Sequence, residues 1–216
     1  MSKPDLRRQL RANLDQLSFP DLIAKSGDLS QRFREWAQIF QAPPHLKKTL
    51  VSFYPFGNEP QIQVEPTNPS EAVGVSYEIA YLRIENWAAR EMLPRVARRD
   101  LPEQWEEFDL PGGNRIFQPT GSQPACPPAT IAGILVPGLG FTLAGDRLGR
   151  GAGFYDRFLA QVPTALRIGI AFEIQIMEIL PSSDHDLQVD IILTESRLIE
   201  TNRYSQWKKH ARIERE

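Results

Sequence analysis

Cysteine is almost missing from this sequence. Of 216 residues only Cys126 carries a thiol, so neither an intramolecular disulfide nor a cysteine-rich metal site can form. It sits between prolines in Gln123-Pro-Ala-Cys-Pro-Pro128 with no neighbouring base, as a loop thiol would. Histidine is scarce as well, and His45, His185 and His210 are scattered along the chain, which argues against a zinc centre. No sign of charge dominates: 25 basic residues face 27 acidic ones, a formal net charge of -2. Such a balance gives no global field for nucleic acid or an anionic membrane, so any anion site must be local. Apolar runs are only a few residues long, against the roughly 20 needed to cross a bilayer. The start, Met1 to Arg8, has charges but no apolar segment behind them. A cytoplasmic location is therefore expected, with no nucleic-acid or membrane partner and no protein partner legible.

What remains is an ordinary globular composition, 41% hydrophobic and 24% charged, long enough for one sizeable core. Residues 1–216 are read as a single domain. Leu6, Leu10, Leu14 and Leu17 recur at helical spacing and predict a helix over 4–17, with Lys3, Arg7, Arg8 and Arg11 flanking the stripe. A second helical pattern, carrying Leu29, Phe33, Trp36, Ala37 and Phe40, runs from Asp28 to Phe40 and stops at Pro43-Pro44. Thr49 to Tyr54 reads as a buried strand cut off by Pro55 and Gly57, placing Glu59 just past a strand end. Tyr77 to Ile84 has strand character and the stretch to Asp109 is mixed. Residues 111–114 and 119–128 read as loops. Ile131 to Pro137, Leu166 to Phe172 and Ile191 to Thr194 have the apolar character of central strands, and a helix begins over 156–160. Strands alternating with helices predict an α/β fold with a largely parallel central sheet flanked by helices. The tail from Lys208 to Glu216 is charged.

The chemistry-bearing feature is Gly149-Arg-Gly-Ala-Gly153. Three glycines at alternate positions let backbone approach a ligand closely. A helix starting behind them would add free N–H groups to an anion cradle, and Arg147 and Arg150 add fork-shaped donors. The pattern alone is weak. It lacks the Gly-Lys-Ser/Thr of a P-loop and the final glycine of a dinucleotide fingerprint, and glycine-rich turns often serve structure only.

The longer run gives more. Val136-Pro-Gly-Leu-Gly-Phe141, then Gly145, then Arg147 through Leu159 resembles the hallmark of the 5-formyltetrahydrofolate cyclo-ligase family. Lys3 and Arg7 resemble its N-terminal K-x-x-x-R element, and Asn58-Glu59 its substrate-binding glutamate. Residues 168–172, Gln175, 180–181 and 185–194 follow its C-terminal pattern.

The resemblance implies a cyclo-ligase, NagB-RpiA-CoA-transferase-like fold, with MgATP and a reduced folate as ligands. The activity implied is conversion of 5-formyltetrahydrofolate to 5,10-methenyltetrahydrofolate with release of ADP and phosphate. Carried over residue by residue, the ATP site comprises Lys3, Arg7, Arg147, Leu148, Gly149, Arg150, Gly151, Ala152, Gly153, Phe154 and Tyr155, with the N-terminal helix contributing. Glu59, Arg150, Gly151, Gly153 and Phe154 would touch the folate. Arg150 would be catalytic, and Asp156 and Asp190 would hold magnesium. Each has a plainer alternative: a solvated basic helix edge for Lys3 and Arg7, a helix N-cap for Asp156, an exposed loop acid for Glu59. Asp184 and Asp186 read as loop carboxylates.

The resemblance is poor from Pro60 to about Pro119. Both Tyr81-Leu-Arg-Ile84 and Leu93-Pro-Arg-Val96 compete for one family strand, and Phe154 stands where the family more often has tyrosine. Two alternatives follow, a related enzyme acting on another formyl or carboxyl compound and a folate- or nucleotide-binding protein with little turnover.

Overall fold

The structure, a computed structural model, describes residues 2–40, 49–65, 77–181, 183 and 186–213. The chain begins with helices α1 (Lys3–Asp15) and α2 (Phe19–Ile39). It continues through β1 (Thr49–Ser52), β2 (Glu78–Asn86), β3 (Glu91–Val96), β4 (Trp105–Asp109) and β5 (Arg115–Pro119). Then come β6 (Ile131–Pro137), β7 (Gly140–Thr142), β8 (Arg147–Leu148), α3 (Phe154–Gln161), β9 (Leu166–Ile170) and β10 (Ile176–Met177). Strands β11 (Ile191–Leu193) and β12 (Leu198–Glu200) and helix α4 (Asn202–Ile213) complete the described elements.

Seven strands form the main sheet in the order β12-β11-β9-β6-β1-β2-β3. The five inner strands are parallel, and β12 and β3 are antiparallel edges. The α/β expectation with a largely parallel sheet holds. Side chains alternate between its two faces, as a pleated strand requires. Leu50, Leu135, Ile168, Ile191 and Leu193 pack with Phe33 and Trp36 of α2 and with Phe40, its C-cap. Val51, Val136 and Ile192 pack with Phe154, Phe158 and Leu159 of α3. With both faces covered, the central strands must be apolar throughout, which is why their runs were legible.

Helix α1 starts on a cap, the Ser2 hydroxyl accepting from the Asp5 N–H, with proline in the first turn. Its leucines Leu6, Leu10 and Leu14 pack with Leu139, Leu148 and Phe172. Leu10 sits so close to Gly140 that a β-carbon there would lie 2.9 Å from Cδ1. Leu10→Ala should therefore cost about 2–5 kcal/mol of stability in urea unfolding; a loss below about 1 kcal/mol would mean that α1 is not seated as described.

Helix α2 begins nine residues before the expected Asp28. Ser18 caps it by accepting from the Asp21 N–H. Its buried face carries Ser26 and Ser30 beside Leu22 and Leu29, which hides the apolar period. Both hydroxyls accept backbone N–H bonds, from Gln61 at 3.1 Å and Gln63 at 2.9 Å, so their burial is compensated. Strands β3 and β4 lie in the stretch read as mixed, and β5 lies between the two stretches read as loops. The β4–β5 ribbon turns through Gly112 and Gly113, both with positive φ. Cys126 is a free thiol in a loop, as expected, and is buried there, its sulfur 3.2 Å from Thr130 Oγ1. The competing segments around Leu82 and Pro94 pair with each other, Leu82 opposite Pro94.

Candidate active site

The sheet order dictates where a ligand fits. From β1 the chain passes to β2 on one side, then back across to β6, β9 and β11 on the other. Such a switch point opens a crevice at the carboxyl ends of the strands. A cleft of about 620 Å³ lies there, lined by Phe53, Tyr54 and residues 56–59 after β1, by Pro137 to Leu139 at the end of β6, and by the glycine loop.

The loop itself runs from β8 into α3. Gly151 and Gly153 have φ values of 103° and 76°, and Gly153 is the residue preceding the first turn of α3. Only glycine adopts these values without strain. α1 holds the loop from one side: Arg7 Nε donates to the Gly149 carbonyl at 3.0 Å and Arg11 Nη2 to the Arg150 carbonyl at 3.2 Å. Lys3 lies one turn further along and pairs with Asp186 at 2.5 Å, so a residue read as a loop carboxylate is its counter-ion.

Arg150 reaches across the cleft. Its Nε donates to Glu59 Oε1 at 2.7 Å and its Nη2 to the Phe56 carbonyl at 2.7 Å, with the guanidinium 4.7 Å from the centre of the Phe56 ring. Glu59 Oε2 accepts the Phe56 N–H at 3.0 Å. Glu59 is 5% exposed, so the exposed-loop alternative is wrong. Burial pushes its carboxyl above the usual range, and the Arg150 guanidinium and the Phe56 N–H oppose that rise.

Arg147 is buried. Its Nη2 donates to Asp156 Oδ1 at 2.7 Å, its Nη1 to the Pro137 carbonyl at 3.3 Å, and its guanidinium lies 5.7 Å from the Tyr155 ring centre. It therefore ties α3 to the end of β6. Burial raises the Tyr155 hydroxyl far above the ordinary phenol range, so the ring is a neutral wall. Asp156 lines the cleft with its side chain 32% exposed. It is the third residue of α3, behind Gly153, so it is not the N-cap. Leu148 is core, and Ala152 lines the cleft with the three glycines.

Asp190 is placed differently from the expectation of a metal ligand beside Asp156. It is absent from the cleft lining and fully buried. Its Oδ2 accepts the Arg167 N–H at 2.7 Å and its Oδ1 lies 2.8 Å from Arg203 Nε on α4. Burial pushes its carboxyl up, opposed by the Arg167 N–H and the Arg203 charge. Among the described residues no group of three or more His, Cys, Asp or Glu is placed to hold a metal.

Sequence reasoning passed over the aromatic walls of this cleft. Tyr54 lies 5.2 Å from Phe117 of β5, and Trp87, from the turn after β2, lies 5.0 Å from Phe154 (ring centres). Trp87 is 36% and Phe117 43% exposed. They come from three separate segments, two of them inside the stretch where the resemblance fails.

Comparison with known proteins fits this geometry. The sequence model of the 5-formyltetrahydrofolate cyclo-ligase family matches residues 100–195. A 5-formyltetrahydrofolate cyclo-ligase of Mycolicibacterium smegmatis is 31% identical over 209 residues, covering 91% of this chain and 95% of that one. One of Mycoplasma pneumoniae is 28% identical over 90% of this chain and 99% of its own length. Among solved structures, the 5,10-methenyltetrahydrofolate synthetase of Aquifex aeolicus superposes with a TM-score of 0.72 at 24% identity, over 94% of both chains. That of Mycoplasma pneumoniae gives 0.66 at 21%, over 90% of this chain and 99% of that one. These two likenesses show a shared fold. With 31% identity across nearly the whole length of both proteins, the chain belongs to the 5-formyltetrahydrofolate cyclo-ligase family.

Proposed function

We propose that this protein uses ATP to convert 5-formyltetrahydrofolate to 5,10-methenyltetrahydrofolate, releasing ADP and phosphate. The observation that carries the reading is the Arg150–Glu59 pair, which joins the glycine loop to the far wall of a switch-point cleft between aromatic side chains. A flat pterin fits between such rings, and a triphosphate fits a glycine loop backed by Arg7 and Arg11.

The formyl oxygen is a poor leaving group. Transfer of the γ-phosphoryl group of ATP to that oxygen, with ADP departing, makes the formyl carbon electrophilic; N10 then attacks this carbon and gives up its proton, and phosphate leaves with the oxygen as the ring closes. Little covalent chemistry falls to the protein, whose work is positioning and charge neutralisation. Arg150 is suited to both, since Glu59 and the Phe56 carbonyl fix its direction while its side chain stays 30% exposed to the cleft. Phe154 offers a ring face, with no hydroxyl to bond the ligand.

Asp156 suits magnesium. One oxygen is held by Arg147, the side chain remains partly exposed at the cleft, and the donor is a hard carboxylate. Magnesium takes one or two carboxylates and completes its shell with water and phosphate oxygens. When bound it would neutralise charge on the phosphates. Asp190 has no part in this reading, being fully buried and paired with Arg203 of α4.

The reading is tested by ADP release. It should require 5-formyltetrahydrofolate and run one to one with substrate consumed; ADP release without the folate would point to a plain ATPase. A pH dependence also follows. As pH falls, Glu59 takes up a proton above the ordinary 4.5 and its hold on Arg150 weakens. The acid limb of kcat/KM should then lie above 4.5 and vanish in Glu59→Gln; an identical limb in that variant would assign it elsewhere.

A further inference from the structure

The turn between β2 and β3 contains the one non-glycine residue with positive φ among those described, Arg90 at 56°. An arginine is strained there, since its β-carbon crowds the backbone, and glycine or asparagine would be at ease. The Arg90 N–H bonds the Trp87 carbonyl at 3.1 Å and the Ala89 N–H bonds Asn86 Oδ1 at 3.0 Å. The turn is thus closed by backbone and Asn86, and the Arg90 side chain contributes nothing to it.

That side chain goes to the glycine loop. A β-carbon placed on Gly153 would lie 3.4 Å from Arg90 Nη1 and 3.8 Å from its Cδ. On the other flank, a β-carbon on Gly151 would lie 3.2 Å from Arg7 Cζ. Two arginines from unrelated elements therefore bracket the loop. Arg147 has Asp156, Arg150 has Glu59 and Lys3 has Asp186, and Arg7 has a carbonyl. Arg90 has neither an ion pair nor a side-chain hydrogen bond among the described residues.

Building on the reading above, we infer that Arg90 is a ligand-binding residue, its exposed and unpaired guanidinium lying beside the loop where it can grip an oxyanion of the substrates. Phosphoryl oxygens of the nucleotide and carboxylates of the folate's glutamate tail share this chemistry. The loop position favours the phosphoryl group, because the Gly153 end is where α3 begins. A fork of planar donors matches either anion.

Arg90→Gly is the informative variant, because it removes the guanidinium and relieves the backbone at once. A purely structural Arg90 would leave binding unchanged. The inference predicts a folded protein with a Tm equal to wild type or about 2–4 °C higher, together with weakened ligand binding. Calorimetric titration with ADP should show affinity down about tenfold to a hundredfold, with Arg90→Lys recovering part of it. If ADP affinity holds while KM for polyglutamylated 5-formyltetrahydrofolate rises more than that for the monoglutamate, the oxyanion is the tail carboxylate. Unchanged ADP affinity and unchanged KM for both folates would overturn the inference. Wild-type turnover is measured alongside, and since ADP binding needs no turnover, an inactive wild type would sink the functional reading while leaving the Arg90 result interpretable.

Discussion

Arg150→Ala is expected to lower kcat/KM by about 10²–10³-fold, the scale for losing one donor to developing transition-state charge, in a protein that still folds. The variant also leaves Glu59 buried without its cation. An uncompensated buried carboxylate is costly, about 2 kcal/mol here, at the low end because Arg150 is itself 30% exposed. The sign of the pH dependence then follows. Glu59 already sits above its ordinary value, and removing Arg150 removes the largest influence holding it down. A group whose folded pKa is raised contributes stability that is complete below its unfolded value and is lost as pH rises through the folded one. The variant should therefore match wild type in acid and fall behind it as pH climbs past 4.5. Adding Glu59→Gln should restore stability at neutral pH without restoring turnover. Unfolding titrations across pH beside kinetic assays check this; a double variant that regains activity would make the pair structural only.

The second large effect concerns the metal. Asp156→Asn keeps an oxygen to accept from Arg147 but removes the carboxylate charge at the cleft. The magnesium concentration for half-maximal activity should rise by roughly tenfold to a hundredfold or more, the scale already seen for lost outer-shell partners. Asp190→Asn is the contrast. It breaks the contact with Arg203 in a fully buried position, so it should cost about 3 kcal/mol of stability and leave the magnesium titration of the folded enzyme unchanged. A shifted titration in Asp190→Asn, or an unshifted one in Asp156→Asn, would reverse the two roles.

The two aspartates also show where the sequence stops being informative. The place of Asp156 at the cleft was legible because its neighbours are local: the loop, the helix start and Arg147 lie within ten residues. Asp190 takes its environment from Arg167 and Arg203, and no pattern near residue 190 announces that an arginine on a later helix will close over it. Glu59 is the same case in reverse. Its position after a strand end was evident, but its burial depends on Arg150, 91 positions further on. The central strands β6, β9 and β11 were legible because burial on both faces leaves a continuous apolar run. The ribbon of β4 and β5 was missed because it is a separate two-stranded sheet, half wet, with charged residues on its open face. The aromatic walls went unseen for a similar reason: Tyr54, Trp87 and Phe117 are unremarkable one by one and meet only in the fold.

One measurement bears most directly on the central claim: absorbance at the methenyl-folate band when purified protein is mixed with 5-formyltetrahydrofolate, with and without MgATP. Growth of the band that requires both ATP and magnesium is the result this account predicts. A flat trace with every component present, from protein that binds ADP, would contradict it.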